Sequence, residues 1–167
     1  MTHRIAKALV LTATLPLIVF NAGCSPTPGN PRPTETSMNE PAGKSTSNPV
    51  RHELEPLTKR FAALGTPVAA SWVSGDMGDP RVAGPSLYWI DSVVELTPGT
   101  ASDLKQRYQP APSNEAPDVW NTLRGSLPTG GYLTSPELDA AFTSTKIKTK
   151  AFLAEHDPII VLTAVGE

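Results

Sequence analysis

The chain has 167 residues, 18 of them proline and 12 glycine, too many chain breakers for one compact unit along the whole length. One modest domain with extensions is the expectation. A formal net charge of −2 excludes the basic excess of a nucleic-acid binder, and a single cysteine excludes an internal disulfide and any site built from paired thiolates.

Residues 1–7 carry Arg4 and Lys7, and residues 8–20 follow as thirteen positions without a charge. These are the n-region and h-region of an export signal. A stable transmembrane helix takes about twenty predominantly apolar residues. This run stops at Asn21 and contains Pro16, which weakens a helix interior. The segment is therefore expected to be cleaved rather than retained as a span.

The only cysteine comes next, in Asn21-Ala22-Gly23-Cys24. Ala22, Gly23 and Cys24 resemble the lipobox of bacterial lipoproteins, in which an aliphatic residue and two small ones precede Cys. Asn21 stands where that family usually has Leu. The resemblance implies cleavage between Gly23 and Cys24, a diacylglyceryl group on the Cys24 thiol and further acylation of the new amino terminus. It thus implies the membrane as a partner and a lipid-anchored, extracytoplasmic location. Each buried methylene contributes about 0.8 kcal/mol, so one chain anchors marginally and two or three anchor stably. An ordinary secretory signal would instead leave Cys24 as a free thiol.

Residues 24–50 form the second segment, with six prolines and two glycines between residues 25 and 50, many Ser and Thr, and no aromatic residue. Such a composition cannot bury enough surface to offset its ordering entropy. A disordered tether is expected, extended where proline dominates.

Residues 51–167 hold all three Trp, all three Tyr and three of the four Phe, and are expected to form a single domain. Leu54, Leu57, Phe61 and Leu64 recur at helical spacing, with Pro56 in the first turn and Gly65 as the stop. A short strand with Val68, Ala70 and Trp72 on one side follows, then a turn-rich loop around Asp76 and Asp79. From Leu87 to Leu96 the chain alternates as a strand, Tyr88, Ile90, Val94 and Leu96 opposing Trp89, Asp91, Val93 and Glu95. Thr100 with Asp103 suggests a capping box for the next helix. A helical turn is expected around Asp118 to Arg124, ended by Gly125. A better-marked helix has Ser135 as cap, Pro136 first, and Leu138, Ala141 and Phe142 to bury.

Lys146, Lys148 and Lys150 alternate with Ile147, Thr149, Ala151 and Leu153, and Glu155 to Pro158 turn the chain into a continuous apolar run. That is a C-terminal hairpin, its second strand central and its lysine-bearing strand facing water or lying at an edge. Strands interspersed with short helices, without regular alternation, predict an α+β fold with a small, mostly antiparallel sheet.

Chemistry is sparse. His156, between Glu155 and Asp157, could act as base or acid, yet this is also ordinary turn composition. No Gly-x-Ser-x-Gly turn occurs among the serines, and Asp76 and Asp79 lack the regular acids of an EF-hand. Asp91 and Glu95 are expected at the surface. No catalytic residue, metal site or cofactor is assigned. Trp72, Trp89 and Trp120 could line a ligand groove, and Lys146, Lys148 and Lys150 could meet anionic lipid or a wall polymer. The expected function is a binding or interaction module of the cell envelope, its partner an envelope protein, wall polymer or small ligand. An envelope hydrolase or metal-dependent enzyme, and a structural component without ligand, are the alternatives.

Overall fold

The computed structural model describes residues 43–45, 47–78 and 86–167. The expected signal segment, the expected cleavage site between Gly23 and Cys24, most of the expected tether and Asp79 lie outside the described residues.

Among the described residues, six strands form one antiparallel sheet in the order β1-β2-β6-β5-β4-β3. They are β1 (Ala69–Asp76), β2 (Tyr88–Glu95), β3 (Ala111–Ser113), β4 (Tyr132–Thr134), β5 (Ile147–Ala154) and β6 (Ile159–Gly166). Helices α1 (Glu55–Arg60), α2 (Pro98–Tyr108) and α3 (Pro136–Phe142), with 3-10 turns at Ala62–Leu64 and Asn121–Ser126, complete an α+β fold. The hairpin β5–β6 forms as its alternation predicts, and β6 lies between β2 and β5.

Strand parity divides the core in two. One face carries Ala70 and Trp72, Ile90 and Val94, Ile160 and Leu162, and Ala151 and Leu153, all buried with Leu57, Phe61, Leu64, Leu104, Leu138 and Phe142 from the helices. The other carries Val73, Trp89, Val93, Val161 and Phe152, covered by Val119 and Leu123 from the long connection between β3 and β4. β2 is thus buried on both faces over most of its length.

Local signals explain most boundaries. Pro56 occupies the first turn of α1, and Gly65 ends the following 3-10 turn at φ +61°, a conformation glycine adopts without steric penalty. Ser135 accepts from the Leu138 N–H and donates to Tyr108 O, tying the start of α3 to the end of α2. For α2 the cap is Thr97, not Thr100: Thr97 is extended, Pro98 fills the first turn, and the Thr97 hydroxyl accepts from Thr100 N–H. Asp103 is accordingly not in the first turn. Val68 precedes β1 and is 56% exposed, although its N–H donates to Glu95 O at 2.8 Å. Gly125, expected as a stop, lies inside its 3-10 turn. Strands β3 and β4 span three residues each, too short to show alternation, and Pro112 is accommodated because β3 is an edge.

The expected tether boundary at residue 50 moves toward the amino terminus. Residues 43–45 and 47–51 lie antiparallel along the outer edge of β1 as a strap, with bridges Lys44 to Met77 and Arg51 to Trp72. Asn48 N–H donates to Ser74 O at 2.7 Å, and Arg51 and Trp72 exchange both backbone bonds at 2.8 and 2.9 Å. A polar, proline-rich composition suits this position because the strap draws its order from an existing strand edge, not from a core of its own.

Candidate functional site

Asp91 lies near the middle of β2 with 0% exposure, on the face shared with Trp89 and Val93. A carboxylate there requires donors. Lys44 Nζ, from the strap, reaches its two oxygens at 2.9 and 2.7 Å, and the Trp120 N–H donates to Oδ2 at 2.6 Å. Lys44 Nζ also donates to Asp118 O at 3.0 Å and stands 5.2 Å from the Trp89 ring centroid. Trp120 stacks on Trp89 with centroids 4.9 Å apart at 27°, and Trp89 Nε1 donates to Asp76 O at 3.1 Å. One buried carboxylate therefore fixes a cation, a backbone amide and, through that amide, an indole.

Burial pushes the Asp91 carboxyl above its ordinary value. Hydrogen bonding and charge from Lys44, and the Trp120 amide, pull the other way without reversing the shift, and the Asp118 charge adds to it. The surface position expected for Asp91 is corrected: β2 is covered on both sides, and its acid is supplied with a cation from 47 residues earlier. Glu95 is exposed at the strand end, as expected.

Beside this cluster opens a cleft of about 470 Å³ lined by Lys44, Met77, Asp118, Trp120, Asn121 and Arg124 among others. Trp120 is half-buried, its ring covered on one side by Trp89. The cleft combines an aromatic platform and a thioether with an ammonium, a guanidinium, an amide and a carboxylate. Such a set binds an organic group with one flat or apolar side and hydrogen-bonding substituents.

The three tryptophans do not form one groove. Trp72 faces the helices, its Nε1 donating to Glu53 O at 3.0 Å, while Trp89 and Trp120 lie on the opposite face. Lys146 and Lys148 are exposed, whereas Lys150 pairs with Glu115 at 2.9 Å, which raises its pKa. His156 stands exposed beyond β5 with Glu155 at 3.9 Å, and it does not line this cleft. His52 Nδ1 is 2.9 Å from Ala70 O and 3.3 Å from Ser71 Oγ. Among the described residues no group of three or more His, Cys, Asp or Glu side chains converges to hold a metal.

Sequence reasoning missed Lys44, Asn121 and Arg124 as cleft residues. The available signal was Asp91 itself, an acid in an otherwise apolar two-faced strand that had to find a cation. No family model, curated protein or solved structure matches this chain.

Proposed function

We propose that this chain is a lipid-anchored envelope protein, acylated on Cys24, whose folded residues bind a partner or ligand on the extracytoplasmic side. The Ala22-Gly23-Cys24 pattern after a charged and then apolar leader supports the anchor. Among the described residues no helix is long and apolar enough to cross a membrane. The observation that carries the binding reading is the cleft in which Lys44 and Trp120 are both held by buried Asp91. Charge is buried there to fix the position of two groups that border open space.

The ligand class that suits the first cleft is an uncharged or weakly anionic organic molecule presenting a ring to Trp120, as a wall polymer or a small metabolite would. The exposed Lys148 lies on the same side of the sheet and, with exposed Lys146 just before β5, adds cationic surface for an anionic envelope component. His156 is exposed and lies away from this cleft, so the binding reading rests on Trp120 and Lys44 rather than on an imidazole. Confinement near the membrane would raise the effective concentration of the module toward envelope partners.

The test is mass spectrometry of the mature amino-terminal peptide together with ligand screening on Trp120→Ala. Acylated Cys24 as first residue, and a ligand lost in the variant, are the expected results. An unmodified thiol would overturn the anchor, and a hydrolytic activity abolished in His156→Ala would overturn binding as the function.

A further inference from the structure

A second cleft, of about 370 Å³, opens on the helix-bearing face at the Asp76 and Tyr88 ends of β1 and β2. It shares none of its lining residues with the first. Arg51, at the end of the strap, lies with its Cζ 4.3 Å from the Trp72 ring centroid, and its Nε meets Glu53 Oε2 at 3.3 Å. Stacking and that bond orient the guanidinium while leaving its two terminal nitrogens uncommitted among the described residues. Arg60, which also lines the cleft, uses Nη1 on Pro56 O at 3.1 Å, and its remaining donors are likewise uncommitted among the described residues. Ser74, held by Asn48 Nδ2 at 3.3 Å, adds a hydroxyl, and the half-buried Tyr88 ring provides apolar wall, Trp72 lying beneath Arg51. Asp76 also borders the cleft and has an interaction partner of its own.

We infer that this second cleft binds a phosphate group carried on an organic molecule. Two guanidinium groups held by their own neighbours supply fork-shaped donors to a tetrahedral oxyanion, and the aromatic wall receives the attached organic part. A bare anion would gain only from the arginines. Two sources share this chemistry: a soluble phosphomonoester, or the phosphodiester of a lipid headgroup or wall polymer. The inference is independent of the first cleft and of the anchor.

Titration of the full-length protein in non-ionic detergent, followed by calorimetry and by amide and arginine side-chain NMR shifts, tests it. The probes are inorganic phosphate, glycerol 3-phosphate and glycerophosphoglycerol. Saturable binding is expected for at least one organic phosphate, tighter than for inorganic phosphate, weakened by added salt, and reduced tenfold or more in Arg51→Gln and in Arg60→Gln. Preference for glycerol 3-phosphate assigns a monoester, and preference for glycerophosphoglycerol assigns a diester source. Arg60→Gln alters an exposed residue of α1, so its unfolding midpoint should match that of the parent even if Arg51→Gln loosens the strap. Failure of both organic probes to saturate, or equal affinity in Arg60→Gln, overturns the inference.

Discussion

Lys44 and Asp91 show how one side chain can be indispensable in a segment that looks featureless. Replacing Lys44 by Met leaves a buried carboxylate with only the Trp120 amide, and breaking such a pair is expected to destabilise the fold by about 3–5 kcal/mol at neutral pH. The loss should shrink in acid, because a protonated Asp91 no longer needs a cation. In the parent protein the folded pKa of Asp91 lies above its unfolded value, so the folded form binds the extra proton. Its contribution is therefore fully present below the ordinary aspartate value of 3.8 and falls as pH rises through the higher folded value. Urea unfolding of parent, Lys44→Met and Asp91→Asn across this window checks both signs. A parent advantage over Asp91→Asn that grows with rising pH would contradict the assignment. Ser92 presents the opposite case, since its Oγ is buried without a hydrogen-bond partner among the described residues. Ser92→Ala should leave stability unchanged or raise it by up to about 1 kcal/mol, and a larger loss in thermal unfolding would show a bond to the hydroxyl.

Among the elements, β5 has an unusual flank. Strand β4 pairs only with Leu153 and Ala154, so the earlier part of β5 would be an open edge without α3. Asp139 Oδ1 accepts from the Ala151 N–H at 2.8 Å, and Thr143 Oγ1 accepts from the Thr149 N–H at 3.1 Å. Helix side chains replace the missing neighbour strand. Asp139→Ala should destabilise by about 1–3 kcal/mol by stranding the buried Ala151 amide, and Asp139→Asn, which keeps an acceptor, should lose less. Chemical denaturation of the pair separates lost acceptor from lost packing. Elements of this kind also mark the limit of what the chain discloses by itself. The shared burial of Leu57, Phe61 and Leu64, the Ser135-Pro136 start of α3 and the β5–β6 hairpin were legible because period and cap chemistry are local, although the single helix expected through Leu64 breaks at Phe61 into α1 and a 3-10 turn. Thr97 was overlooked although Pro98 beside it marks a helix start, and both short strands were invisible because three residues carry no period. Lys44 to Asp91 and Asp139 to Ala151 are contacts across the tertiary fold, and no spacing rule announces them.

For the molecule as a whole, the strap sets where folding begins. A chain starting at residue 43 should keep the stability of the parent. One starting at residue 52 should lose the Asp91 partner and expose the β1 edge, with a drop of at least the 3–5 kcal/mol assigned to the pair and a tendency to associate. Calorimetry and light scattering of the two truncations check this, and equal stability would remove the strap from the fold. Cys24→Ser in the full-length chain is expected to shift the protein from the membrane fraction to the soluble fraction without changing its unfolding midpoint, as fractionation and thermal scans would report. Gly43 and Lys44 line one cleft, while Asn48 and Arg51 line the other. The same strap runs beside β1 in the opposite direction. Mechanical load entering from residue 42 therefore meets the Lys44 ammonium almost at once. Sideways traction peels the joint one contact at a time, whereas traction along the strand loads its contacts together. If Cys24 is acylated as proposed, tension transmitted to the strap would load the Lys44–Asp91 pair that also holds one border of the Trp120 cleft.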